Sequence, residues 1–189
     1  MTARRLVIEA DGGSRGNPGT AGYGAVVRDA VSGEVLAERS GAIGRATNNV
    51  AEYSGLLAGL RAAGELAPGA TAEVRMDSKL VVEQMSGRWR IRHPDLQPLA
   101  AEARQAARAL GRVTYTWMPR ERNKHADRLA NEAMDAAGGR AGGPNGAGAP
   151  GRAGTPGRAA TPGGAGVPRR TGAPGGTGPR QHSGPPGLW

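Results

Sequence analysis

Short apolar runs and helical stripes alternate along the first 137 residues. Arg4–Ala10 (RRLVIEA) predicts a strand. Gly22–Asp29 (GYGAVVRD) and Glu34–Ile43 (EVLAERSGAI) predict two more, with the VSG at 31–33 as a hairpin turn between them. Val50, Tyr53, Leu56, Leu57, Leu60 and Ala63 recur at helical spacing, so a long helix is expected over 49–66, stopped by Pro68-Gly69. Ala72–Met76 (AEVRM) reads as a fourth strand and Ser78–Met85 as a short helix. Pro94 opens a new segment, in which 96–110 is an Ala-rich helix. Val113–Met118 (VTYTWM) is a fifth strand, and a last helix runs from Asn123 to Ala137. Short turns make the first three strands antiparallel. Helical crossovers make the fourth and fifth parallel to the first. The expected fold is α/β: a mixed five-stranded sheet covered by helices.

The pattern stops at Gly138. Residues 138–189 are built mainly from Gly, Pro, Ala, Thr and Arg, with proline every six residues at 144, 150, 156, 162, 168 and 174. So little apolar surface cannot offset the entropy of ordering, which predicts a disordered tail. The tail carries six arginines and no acid, against a net charge of +9 for the whole 189-residue chain. The folded part is therefore only mildly basic. The tail reads as a basic tether for nucleic acid, a linker, or a solvated extension without a specific role. There is no cysteine, which rules out disulfides and thiolate metal sites. No apolar run approaches the ~18 residues of a membrane span, and the N-terminal run is too short for a signal peptide. A soluble, cytoplasmic protein with no membrane contact is expected.

Between the first two strands lies DGGSRGNPGTAGYG, residues 11–24. A glycine-rich stretch of this kind suggests a phosphate cradle, but its context excludes the familiar ones. It has no Gly-Lys-Ser/Thr and opens into a strand, not a helix, so it reads as the bend of a β-hairpin. Asp11 is left as its chemically active group, at the end of a central strand. Three other acids take comparable places: Glu52 in the first turn of the long helix, Asp77 at the end of the fourth strand, and Asp127 in the first turn of the last helix. Singly, each has an ordinary explanation: a turn aspartate before Gly-Gly, a capping-box partner of Asn49, a cap for the helix at Ser78, a first-turn acid favoured by the helix dipole. Jointly, the topology directs all four to one edge of the sheet. Four such carboxylates repel one another unless cations lie among them. Oxygen ligands alone favour Mg²⁺ or Mn²⁺ over zinc.

These segments resemble the type 1 ribonucleases H, in the compact bacterial and archaeal branch. The resemblance rests on DGGSRGNPGTAGYG, RATNNVAEY, MDSKLVVEQ and WMPRERNKHADRLANEA, and it covers residues 3–137. It implies a ribonuclease H-like fold and cleavage of the RNA strand of an RNA–DNA hybrid, leaving 5′-phosphate and 3′-hydroxyl ends. It assigns two Mg²⁺ ions, replaceable by Mn²⁺, to Asp11, Glu52, Asp77 and Asp127, with Glu52 also able to accept from a ribose 2′-hydroxyl. It places Gly12, Gly13, Ser14, Asn17, Asn48 and Asn49 along the minor groove, and Arg45 and Thr47 at a phosphate of the DNA strand. Where many members carry a loop histidine thought to aid product release, this chain has Glu121.

Other expectations concern single residues and competing functions. Trp89, with Arg88, Arg90 and Arg92, either lies on the DNA strand or is a partly buried indole among solvated arginines. Trp117 is expected in the core and His125 on the surface. A monomer is expected. The competing functions are a domain of the same fold that grips nucleic acid without cutting it, and a linker-bearing remnant of a ribonuclease H/phosphatase fusion.

Overall fold

The computed structural model describes residues 4–141. In chain order they form β1 (Arg5–Gly16), β2 (Gly19–Asp29), β3 (Val35–Ala46), α1 (Asn48–Leu66), β4 (Thr71–Met76), α2 (Lys79–Met85), α3 (Leu96–Ala107), β5 (Arg112–Trp117), a 3₁₀ turn (Arg120–Arg122) and α4 (Lys124–Ala141). The sheet order is β3-β2-β1-β4-β5. β1 pairs antiparallel with β2, and β2 with β3, while β4 runs parallel to both β1 and β5. This is the expected mixed sheet. No helix among the described residues is long and apolar enough to cross a membrane.

Alternation along β1 sorts its side chains between two helical layers. Leu6, Ile8 and Ala10 face the main core with Tyr53, Leu56 and Leu60 of α1. The opposite face of β1 and β2 is covered by α4. Glycines set how closely both helices approach. A Cβ on Gly55 would lie 2.4 Å from the Asp11 carbonyl oxygen, and one on Gly59 would lie 2.5 Å from Ile8 Cγ2. A Cβ on Gly12 would strike the α1 backbone, 2.2 Å from Glu52 N. Across the sheet, one on Gly24 would lie 2.2 Å from the Ala126 carbonyl oxygen in α4. The backbones therefore touch where the two helices begin, which is where Glu52 and Asp127 sit.

The glycine-rich stretch is the bend of a β-hairpin, as expected, but its strands run further than predicted. β1 continues to Gly16 and pairs with β2 from Asp11↔Gly24 to Gly16↔Gly19, leaving Asn17-Pro18 at the turn. With α1 and α4 packed against this hairpin, small residues favour an extended ladder over an irregular bend.

Smaller departures have similar tertiary causes. The N-cap of α1 is Thr47, whose Oγ1 accepts from Val50 N at 3.4 Å, so Glu52 has no capping-box partner in Asn49. Ser78, not Asp77, caps α2. α3 ends at Ala107, short of the predicted 110. α4 continues to Ala141, past the predicted 137. The rest of the predicted Gly/Pro/Arg-rich tail lies outside the described residues. Trp117 is not a core residue. Alternation gives it the face of Val113 and Tyr115, but it ends an edge strand and is 51% exposed.

Gly55→Ala is expected to lower the unfolding free energy by about 1–3 kcal/mol, because backbone cannot yield as a side chain can. Gly138→Ala, at an open helical position, is expected to raise it by about 0.5–1 kcal/mol. Urea unfolding of the two variants reads the opposite signs.

Candidate active site

The last parallel pair of β1 and β4 is Glu9↔Arg75. Asp11 and Asp77 follow just beyond it, at the C-terminal end of the parallel strands, where open α/β sheets place their sites. α1 brings Glu52 alongside through the Gly12 contact, and α4 brings Asp127 over Gly24. All four predicted acids therefore converge. Asp11 and Glu52 are buried, at 4% and 6% exposure. Asp77 and Asp127 are half-buried.

The electrostatics record this convergence. Burial pushes the Asp11 carboxyl up to about 7, helped by the charges of Asp77 and Asp127 and a hydrogen bond with Asp77, and opposed by Arg120. Burial also raises Glu52 well above the usual carboxylate range, with Asp11 and Asp77 adding to the effect. Arg120 and the Gly12 amide oppose it. Glu52 Oε2 is buried with no hydrogen-bond partner.

Three residues brace the acids, a role expected for none of them from the sequence. Asn123 is fully buried, and its Nδ2 donates to the Ala10 carbonyl oxygen and to Asp77 Oδ1, both at 2.8 Å. It thereby ties β1 to Asp77. An asparagine just before a helix reads as a cap, and only the fold shows that it turns inward. Trp117 Nε1 donates to the Asp77 carbonyl oxygen at 3.0 Å. Asn131 Nδ2 donates to Asp127 Oδ2 at 3.1 Å and to the Asp127 carbonyl oxygen at 2.9 Å. An asparagine four residues after an acid on a helix was the legible signal for this last contact. Arg120 Nη2 holds the other carboxylate oxygen of Asp127, Oδ1.

His125 is half-buried, in contrast to its predicted surface position. Arg28 Nη2 donates to its Nδ1 at 2.8 Å, and its Nε2 meets Glu38 Oε1, so it fastens α4 to β2 and β3. Arg28 in turn pairs with Glu9 at 3.1 Å.

The remaining predicted residues lie around the β1–β2 hairpin and the start of α1. Gly12 and Gly13 are packed under α1 and α4 respectively, and Ser14 Oγ is buried without a partner. Asn17 Oδ1 accepts from Asn48 N at 3.2 Å, tying the hairpin tip to α1. Arg45, Asn48 and Asn49 are exposed, and Thr47 is half-buried. Glu121 is exposed on the 3₁₀ turn. Trp89 is 48% exposed, but Arg88 beside it is committed to Glu83.

Among the described residues, no three acidic or histidine side chains are placed so as to hold a metal ion as they stand. The donors nevertheless suit a hard divalent cation. They are oxygen-only, mutually repelling, and include the orphaned Glu52 Oε2. Both carboxylate oxygens of Asp127 already accept a hydrogen bond, Oδ1 from Arg120 and Oδ2 from Asn131.

A carboxyl whose folded pKa is raised stabilises the fold fully only below its unfolded value. Asp11 loses its contribution as pH climbs from 3.8 through about 7. Ion-free protein in EDTA should weaken over that interval, with Asp11 accounting for on the order of a few kcal/mol. Asp11→Asn should be more stable than wild type at pH 8, with the gap narrowing at pH 5. Urea unfolding at the two pH values checks this.

Comparison with known proteins agrees with this geometry. A family model described as reverse transcriptase-like matches residues 9–133. The bifunctional protein Rv2228c of Mycobacterium tuberculosis is 66% identical over 134 residues, covering 70% of this chain and 36% of its own. The chain thus spans about a third of the length of that relative. A ribonuclease H of Hydrogenovibrio crunogenus is 32% identical, with 66% of this chain and 92% of that protein covered. Among solved structures, the N-terminal RNase H domain of Rv2228c, fused to maltose binding protein, superposes with a TM-score of 0.71. It is 62% identical, and the match covers 74% of this chain and 99% of that one. LC11-RNase H1, isolated from compost and solved in complex with an RNA/DNA hybrid, gives a TM-score of 0.66 at 40% identity, covering 70% and 98%. With the sheet order, the converging carboxylates and these likenesses in agreement, the chain belongs to the type 1 ribonuclease H family.

Proposed function

We propose that this chain hydrolyses the RNA strand of RNA–DNA hybrids at the Asp11–Glu52–Asp77–Asp127 cluster, with divalent cations bound there. The observation that carries the proposal is the burial of Asp11 and Glu52 among other acids with one oxygen, Glu52 Oε2, left unpartnered. Burying like charge in this way costs stability, and a cation-dependent reaction explains why the cost is borne. Asp11, Glu52 and Asp77 would hold one ion, and Asp11 and Asp127 a second. Bound Mg²⁺ or Mn²⁺ would supply charge neutralisation and Lewis acidity toward the attacking water and the departing oxygen.

The chain's own residues orient the reaction. Water forms the new bond to phosphorus and the P–O3′ bond breaks, leaving a 5′-phosphate and a 3′-hydroxyl. Asn123 fixes Asp77 through a bond made by a buried donor, so this carboxylate does not reorganise during attack. Asn131 fixes Asp127 from within its own helix. RNA is told from DNA by its 2′-hydroxyls, to which this reading assigns the backbone of Gly12–Ser14. Asn17, Asn48 and Asn49 extend that surface along the minor groove. Arg45 and Thr47 receive a phosphate of the DNA strand, and Trp89 stacks against that strand. Glu121, exposed on the 3₁₀ turn where many family members carry a loop histidine, is the residue this reading assigns to product release. LC11-RNase H1 holding a hybrid on a superposable fold supports this reading.

The basic residues beyond α4 act as a tether. Residues 142–189 contain five arginines and no acid.

A strand-labelled hybrid incubated with Mg²⁺ should lose its RNA strand only. Asp77→Asn should abolish cutting and keep hybrid binding, because an amide oxygen at this position can still accept from Asn123. Intact RNA with wild-type protein bound would reject the proposal. Removing residues 142–189 should leave cutting intact. It should also flatten the plot of log affinity against log salt by roughly 0.7–0.9 for each phosphate the tail neutralises; an unchanged slope rejects the tether.

A further inference from the structure

Each carboxylate oxygen of Asp127 accepts one side-chain hydrogen bond. Asn131 Nδ2 occupies Oδ2 at 3.1 Å, and Arg120 Nη2 occupies Oδ1. The two partners differ in kind. Asn131 lies one turn along the same helix and also bonds the Asp127 carbonyl oxygen, so it moves only with α4. Arg120 sits on a three-residue 3₁₀ turn closed by Arg122 N→Pro119 O and Asn123 N→Arg120 O, both at 2.9 Å. Its side chain is 68% exposed, against 27% for Asp127. Solvent can receive the guanidinium at small cost, whereas displacing Asn131 requires breaking helix-anchored bonds.

Arg120 also acts beyond Asp127. Its charge eases the ionisation of both Asp11 and Glu52, and all three aspartates of the cluster hold its own proton more firmly. A monovalent cation therefore already serves the acids that are to hold divalent ones.

We propose that Arg120 is a resident counter-ion that competes with a divalent cation for Asp127 Oδ1 and transfers to a phosphate of the docked hybrid, so that substrate binding frees the carboxylate. The inference rests on the ion-dependent reading of the cluster. A guanidinium suits either partner, since carboxylate and phosphate both accept its planar fork. Coupling follows from linkage: whatever draws Arg120 away from Asp127 strengthens ion binding, and the reverse holds equally. Arg120 thus acts on the ion through Asp127 and on the substrate through its phosphate.

The sign of the test is unusual for an active-site arginine. Mn²⁺ titration of the full chain without hybrid, read by the EPR signal of free Mn²⁺, should show Arg120→Ala binding the ion about two- to fivefold more tightly than wild type, the range expected for losing a solvent-exposed ion pair. Arg120→Lys, which keeps the charge without the fork, should fall between them. In EDTA, hybrid affinity measured by fluorescence anisotropy should weaken severalfold in Arg120→Ala and less in Arg120→Lys. Mn²⁺ affinity that is unchanged or weakened in Arg120→Ala, with wild type binding normally, would overturn the competition and leave the ion-dependent reading standing. Unchanged hybrid affinity would overturn the transfer to phosphate. Failure of wild type and variants alike to take up Mn²⁺ would remove both the ion-dependent reading and this inference.

Discussion

Burial of like charge is the constraint to which the rest of this structure answers. Asp11 and Glu52 are almost wholly removed from water, and each feels the charge of other acids of the cluster. An arrangement of this kind raises the free energy of the ion-free fold, so other parts of the molecule must hold it together. The sheet core does so with Leu6, Ile8, Val74 and Met76 on adjacent central strands and Tyr53, Leu56 and Leu60 above them. This apolar layer lies directly behind the acids, and its stability does not depend on their ionisation.

Close backbone approach converts that core into a site. Gly12 and Gly55 let α1 start against β1, and Gly24 does the same for α4 against β2. A larger residue at any of the three would push a helix outward and carry Glu52 or Asp127 with it. The glycines of the first hairpin therefore serve the carboxylates indirectly. They provide clearance for helices, while the acids themselves hang from rigid elements.

Polar braces finish the placement. Asn123 joins the Ala10 carbonyl to Asp77, and the Trp117 indole holds the Asp77 backbone from the other side. His125, Arg28, Glu38 and Glu9 form a linked set that fastens the start of α4 to the three antiparallel strands. Each of these contacts joins segments far apart in the chain, unlike the Asn131–Asp127 bond within α4, so none acts until the sheet and helices have assembled. Arg120 belongs with them in the ion-free state but differs in being exposed at the mouth of the site.

The order of strands and helices, the mixed sheet and the four acids were all legible from local pattern. Val50, Tyr53, Leu56 and Leu60 line one face of a helix, and Asp11 and Asp77 meet if the first and fourth strands are neighbours, a condition that the sheet order meets. The glycine-rich hairpin is legible, but not how far its strands run, because their extension to Gly16 and from Gly19 depends on α1 and α4 pressing against them, a contact no local window contains. Trp117 was placed in the core by its strand pattern, which cannot tell an edge strand's end from its middle. Asn123 and His125 were invisible for a related reason: a polar side chain's role depends on which distant group it meets. Local sequence determines which face a residue takes and which element carries it, because periodicity is a property of neighbours in the chain. Tertiary structure decides what is buried, braced or left unpartnered, because those are properties of neighbours in space.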